Sequence, residues 1–195
     1  MDQQGIPDLG SAGATLSGVV RATPEAALDA PTPCAEWSVR DLLAHIDGLL
    51  LAFRAAADKD LGPLTDTDPA AAALTLADGW LERIPARVEE LVAAWRSPEA
   101  WSGATRAGGV DLPGEVAGLV ALDEMVLHGW DLARAIGAPF AVDGATAEAV
   151  HAFAAATAAE ESPIFAAPVA VPDTADILTR AVGLAGRDPD WSPPG

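Results

Sequence analysis

The sequence predicts an all-α protein, a four-helix bundle with additional C-terminal helices, and three observations predict it. Ala and Leu dominate while Tyr is absent. β-Branched residues seldom alternate with polar ones, as half-buried strands would require. Several stretches of about 20 residues carry apolar side chains at the 3.6-residue spacing of an amphipathic helix.

Taken in order, Asp8 to Leu28 reads as a first helix, weakened by Gly10, Gly13 and Gly18. "DAPTPCAEW" (Asp29 to Trp37) is a loop fixed by Pro31 and Pro33. Ser38 opens a second helix that continues to about Lys59, with Asp41 three residues on as a short-armed capping box. After "DLGPLTDTDP" a third helix runs from Pro69, acceptable in a first turn, to Arg96, with a kink at Pro85. Ser97 to Gly114 is a long connection with room for a short strand pair. The fourth helix spans roughly Glu115 to Ile136 and stops at "GAPF", a Gly-then-Pro terminator. Asp143 can cap a fifth helix to about Glu161, "SPIFAAPVAVP" is extended or irregular, and Thr174 to Leu184 is a sixth, shorter helix. With no internal repeat and no dividing linker, residues 1–195 are expected to form one domain, its bundle core over about 8–136 and its C-terminal additions over about 143–195.

Charge narrows the partners. The 29 acidic residues against 11 basic ones give a net charge of −18, and no two basic residues are adjacent. Such a surface repels phosphate backbones, so neither nucleic acid nor an anionic membrane is an expected partner. The single cysteine, Cys34, excludes an internal disulfide and fits a reducing compartment. The start "MDQQGIPDLG" has no basic flank or apolar core, and no apolar stretch reaches membrane-spanning length, so a cytoplasmic protein is expected. The sequence says nothing of oligomeric state.

One segment calls for more than packing. In the fourth helix Glu124 and His128 stand four residues apart among Val116, Leu119, Val120, Met125, Leu127 and Ile136, so both project from one side of a helix with little polar face. In the second helix His45 lies at the edge of the stripe formed by Val39, Leu42, Leu43, Ile46, Leu49, Leu50 and Phe53. A buried carboxylate is costly unless it is paired or bound to a metal. Two imidazoles and a carboxylate on facing helices would make a three-ligand site with an open position, the pattern of catalytic zinc. The alternative is an i,i+4 pair supporting one helix, with His45 a core histidine bonded to backbone. Spacing alone leaves both readings open.

Three stretches bear on the choice. "TPCAEWSVRDLLAHIDG" (Thr32 to Gly48), "EMVLHGWDLARAIG" (Glu124 to Gly137) and "AVGLAGRDPDW" (Ala181 to Trp191) occur in that order. Together they resemble actinobacterial proteins of the mycothiol-dependent maleylpyruvate isomerase N-terminal-domain type, within the DinB-like superfamily of metal-binding four-helix bundles. The resemblance implies that His45, Glu124 and His128 are the metal ligands, with zinc the first candidate and nickel or another divalent ion the alternative. One departure matters: the isomerase carries a separate C-terminal domain that helps bind its dicarboxylate substrate, and this sequence runs to Gly195 without it. Maleylpyruvate isomerisation is therefore not assigned.

Other residues carry two readings each. Cys34 is a structural thiol, or a nucleophile or extra ligand, in a loop that gives it no neighbouring His or Lys in sequence. Trp37 and Trp130 are packing anchors or substrate platforms. Asp131, three after His128, is an outer partner of that imidazole or a helix-surface aspartate. Arg40, Arg54 and Arg134 are exposed helix residues unless one turns toward the site and grips a carboxylate, and His151, outside the three stretches, is the wall or surface of the fifth helix rather than a site residue.

A divalent ion can lower the pKa of a bound thiol or water. The resemblance favours a thiol, mycothiol in the first place, attacking a small electrophile to give a thioether; the thiol then stays (a transferase) or leaves after bond rotation (an isomerase). A metal-assisted hydrolase, lyase or cyclase of secondary metabolism without a thiol is the second expectation, and a non-catalytic metal- or ligand-binding module the third. The small number of basic residues weighs against a carboxylate-bearing thiol, while a set of three ligands weighs against a purely structural ion.

Overall fold

The computed structural model describes residues 6–68, 74–159 and 166–193. The described elements are α1 (Gly10–Ala22), α2 (Val39–Asp58), α3 (Pro63–Asp66), α4 (Trp80–Trp95), α5 (Pro98–Trp101), β1 (Ala104–Ala107), β2 (Val110–Pro113), α6 (Gly114–Ile136), α7 (Gly144–Ala159) and α8 (Ile177–Leu184). The fold is mostly helical, as the composition predicts. No helix among the described residues is long and apolar enough to cross a membrane.

Local chemistry sets the boundaries. α1 stops at Ala22, earlier than Leu28, because Pro24 follows and the residue before a proline is pushed toward extended backbone; Glu25–Ala27 is then a separate 3₁₀ turn. α2 begins where the capping box places it. Asp41 N–H donates to Ser38 Oγ at 3.3 Å and Ser38 N–H donates to Asp41 Oδ2 at 3.0 Å. α4 starts at Trp80, later than expected. Residues 74–77 have no regular structure and the supposed start at Pro69 lies outside the described residues. Pro85 sits inside α4. α7 is capped by Asp143, whose Oδ1 accepts from Thr146 N–H at 2.8 Å, while its expected end at Glu161 lies outside the described residues. α8 begins at Ile177 because Asp176 caps it through Thr179 N–H at 2.9 Å.

α1, α2, α4 and α6 form the bundle: α2 packs on α4 and α6, and α1 packs on the same two helices. Leu16 and Val20 of α1, Leu42, Ile46 and Leu50 of α2, Ile84, Val88 and Leu91 of α4, and Leu122 and Met125 of α6 share one buried cluster. Trp95 and Trp101 close one end, their rings 5.1 Å apart and T-shaped, with Trp95 Nε1 donating to Phe53 O at 3.2 Å. The strand pair does form in the connection. β1 and β2 are antiparallel, Ala107 opposite Val110, joined by Gly108 and Gly109, both at positive φ as a two-residue hairpin turn requires. α7 packs on α6 and α8 on α7, which brings the segment after Leu184 back toward the bundle.

Candidate metal centre

Four parts of the chain meet at one place. α2 supplies His45, 9% exposed, because its ring shares the helix face of the apolar stripe. α6 supplies Glu124, His128 and Asp131. The loop before α2 supplies Cys34 and Trp37, held by Thr32, whose hydroxyl donates to Trp37 O at 2.8 Å and accepts from Cys34 N–H at 3.1 Å. The turn after α8 supplies Arg187.

One ligand atom from each of His45, Glu124 and His128 lies within 4.8 Å of the others. The two histidine rings stand edge to face, 4.8 Å between centroids. His128 Nε2 is 2.9 Å from Glu124 Oε2, and its Nδ1 is 3.1 Å from Asp131 Oδ2. Trp37 covers the pair, its ring 4.5 Å from that of His45 and 6.0 Å from that of His128. Next to Glu124 is an apolar cavity lined by Leu16, Ile46, Leu50, Phe53, Leu91 and Met125, among others.

The electrostatics follow from this placement. Burial, aided by the positive field of His128, depresses the His45 pKa to about 4, so His45 is neutral at physiological pH. Burial works against a charge on His128 too, but Asp131, Cys34 and Glu124 around its two nitrogens raise its pKa well above the ordinary value. Without a metal it is an imidazolium between two carboxylates. Burial pushes the Glu124 carboxyl up, yet hydrogen bonding to His128 and the nearby positive charges leave it below the usual range, so the raised pKa that burial alone predicts is not what this site has. Asp123 differs: burial and the Glu124 charge push its carboxyl well up, and its Oδ1 has no hydrogen-bond partner.

These residues fit a divalent ion. Tetrahedral ligands with bonds of about 2.1 Å stand roughly 3.4 Å apart, so small side-chain shifts from the present spacing suffice. A neutral imidazole, a carboxylate and a second imidazole that can give up its Nε2 proton are the required donors. Cys34, His128 and Asp131 also offer ligand atoms within 4.8 Å of one another. That side is unfavourable for a cation, because Arg187 already places its guanidinium on Asp131, with Nη2 3.0 Å from Oδ2.

The site thus gathers His45, Glu124, His128, Asp131, Trp37 and Cys34. Asp131 is not a surface aspartate: it is wholly buried and accepts from His128 and from the Cys34 thiol at 3.2 Å. Trp130 is buried away from these contacts and stacks under Arg134, whose guanidinium carbon lies 5.7 Å from the ring centroid. Arg134 is half-buried, not exposed, and donates from Nε to Trp191 O at 3.0 Å. Arg40 pairs with Asp29, and Arg54 with Asp58 and Glu90, on the surface. His151 is half-buried on α7 and joins neither ligand group. Arg187 was not singled out from sequence, although the Gly-Arg-Asp-Pro stretch containing it was.

No curated protein matches the chain at a significant level. Among solved structures it resembles the crystal structure of the mycothiol-dependent maleylpyruvate isomerase, at TM-score 0.65 and 16% identity over 93% of this chain and 88% of that one. A histidine-to-alanine mutant of that isomerase matches with the same values. That likeness concerns fold, and at 93% of this chain it extends past the C-terminal end of the sequence match. The family model described as the mycothiol maleylpyruvate isomerase N-terminal domain matches residues 9–133, which take in α1, α2, α4 and all but the last turn of α6. With the bundle and its histidine-bearing helices inside that match, the chain belongs to the mycothiol maleylpyruvate isomerase N-terminal domain family.

Proposed function

We propose that His45, Glu124 and His128 hold a divalent metal ion, zinc in the first place, and that the protein is a metal-dependent thiol transferase or isomerase. Its thiol is mycothiol or a similar small thiol, and its second substrate a small electrophile. The observation that carries this is the convergence of three ligand atoms from α2 and α6 within 4.8 Å inside the bundle. Membership of a family named for a mycothiol enzyme supports the thiol. The ion would supply Lewis acidity, lowering the pKa of a thiol at its open position. The chain's own residues do the rest. Asp131 fixes the His128 ring, Trp37 covers both imidazoles, and the cavity beside Glu124 gives that side of the site an apolar wall. No side chain needs to act as nucleophile, since the small thiol supplies the attacking sulfur; the Cys34 thiol donates to Asp131.

One observation favours a second reading, a metal-assisted hydrolase or lyase without a thiol. Arg187, the arginine at this site, is committed to Asp131 and so is not free to grip a thiol's carboxylate. Cobalt substitution separates the two. Adding mycothiol to the cobalt protein should produce a sulfur-to-metal charge-transfer band and raise the melting temperature, and neither should occur in His128→Ala. A spectrum and melting point indifferent to every thiol, with an electrophile consumed nonetheless, would favour the second reading. A purified protein with no stoichiometric metal would sink both.

A further inference from the structure

The sequence match to the family ends at residue 133, yet the environment of His128 is not complete there. Asp131, wholly buried, receives donors from three separate parts of the chain. Cys34 Sγ is 3.2 Å and His128 Nδ1 3.1 Å from Oδ2. Arg187 spans both oxygens, with Nε 3.2 Å from Oδ1 and 3.3 Å from Oδ2, and Nη2 3.0 Å from Oδ2. A planar guanidinium touching both oxygens fixes the plane of a carboxylate, which one hydrogen bond from an imidazole does not. The carboxylate plane sets where Oδ2 meets Nδ1, and thereby the rotation of the His128 ring. Ring rotation in turn aims Nε2 toward Glu124 and His45.

Arg187 is itself held. Its backbone N–H donates to Val182 O at 3.1 Å, and Nη1 donates to Ala185 O at 3.1 Å. Gly186 before it has φ +77°, and a Cβ there would lie 2.7 Å from Ala166 O, so only glycine lets the chain turn this close to the strand of backbone beside it. The turn after α8 is built to deliver this one side chain to α6. We infer that Arg187 is a positioning residue of the metal centre, acting through Asp131 on His128, and that the C-terminal segment is needed to complete the site. The inference rests on the metal reading above.

The test is zinc affinity by chelator competition on the full chain, with melting curves of the metal-free proteins alongside. Arg187→Met should bind zinc about 10–100-fold more weakly than wild type, and Arg187→Lys, which keeps the charge but not the two-oxygen grip, should fall between them. Asp131→Leu should weaken zinc comparably. Adding Arg187→Met to Asp131→Leu should cost no further affinity, because the path through the carboxylate is already gone. That double variant removes the buried pair together and leaves no orphan charge, so it should fold even if Arg187→Met alone does not. A second readout is the His128 Nδ1–H proton in the zinc-saturated protein. It should exchange slowly in wild type and faster in Arg187→Lys. Zinc affinity within about twofold of wild type in Arg187→Lys and Arg187→Met, an equal loss in the Asp131→Leu background, or an unchanged ring proton each overturns the inference. A wild type that binds no zinc overturns the metal reading as well, whereas a zinc-binding wild type with an indifferent Arg187 overturns this inference alone.

Discussion

The raised pKa of His128 implies a proton on each nitrogen in the metal-free protein, with Nε2 2.9 Å from Glu124 and Nδ1 3.1 Å from Asp131. Ligation through Nε2 requires that one proton leave. Because the His128 pKa is raised well above 6.5, neutral pH lies inside the window in which metal and proton compete. Each pH unit below the folded-state value should weaken apparent metal affinity about tenfold, about 1.4 kcal/mol. His45, depressed to about 4, is neutral through that window and adds no slope until pH approaches its own value; Glu124, held low, behaves likewise. The expected result is therefore a slope of about one log unit per pH unit near neutrality, steepening only in acid. Calorimetry at pH 7 in buffers of different ionisation enthalpy should report about one proton released per metal bound. The sign for stability is the opposite. A raised histidine pKa stabilises the metal-free fold fully below 6.5, and that contribution is lost as pH rises through the folded-state value. Metal affinity that is flat across neutral pH, with no proton released, would refute the imidazolium and with it the double pairing of His128.

Four further outcomes follow from named contacts. Burial of His45 costs the metal-free protein about 3 kcal/mol as pH falls from 6.5 to its folded-state value of about 4, since only the unfolded chain takes the proton there; His45→Gln should flatten this acid limb in urea titrations. Glu124→Gln should lose metal and also lower metal-free stability by about 1–3 kcal/mol, because it removes the charged partner of His128 Nε2; a metal-free variant as stable as wild type would deny the pair any weight. Cys34→Ala should keep stoichiometric metal by elemental analysis at a cost of about 1 kcal/mol, since its thiol faces Asp131 on the Nδ1 side of His128. Gly118→Ala should destabilise by about 1–3 kcal/mol in melting experiments, because its new methyl would lie 2.5 Å from the Trp101 ring.

The parts of this structure that sequence reveals are those governed by short-range periodicity. Glu124 and His128 four apart on an apolar helix, and His45 at the edge of the α2 stripe, could be expected to face inward because helix geometry fixes their direction. The Ser38–Asp41 cap and the Asp143 cap were legible for the same local reason. Boundaries failed where composition favours helix and a single residue decides otherwise. Pro24 ends α1, and a helical run read upstream through Ala77 and Asp78 begins only after Gly79, whose φ is +72°. Asp131 could be read either way, since position i+3 from a histidine says nothing about whether the far side is solvent; its complete burial depends on chain that returns 56 residues later. Arg187 was beyond reach for that reason. No period links a turn after α8 to α6, and its charge balances that of Asp131 only once the fold joins them. The distribution of charge gives the reason for this arrangement. Glu124 and Asp131 flank one imidazole from opposite ends, and a divalent ion placed among His45, Glu124 and His128 would remove the proton that lets His128 offset both. The ion's own charge would replace that proton at the Nε2 end, while Asp131 at the Nδ1 end would still be a wholly buried carboxylate, a group that is costly to bury without a close partner. Arg187 is that close partner, on the side of the ring away from Glu124, and it pairs with Asp131 whether His128 carries a proton or a metal.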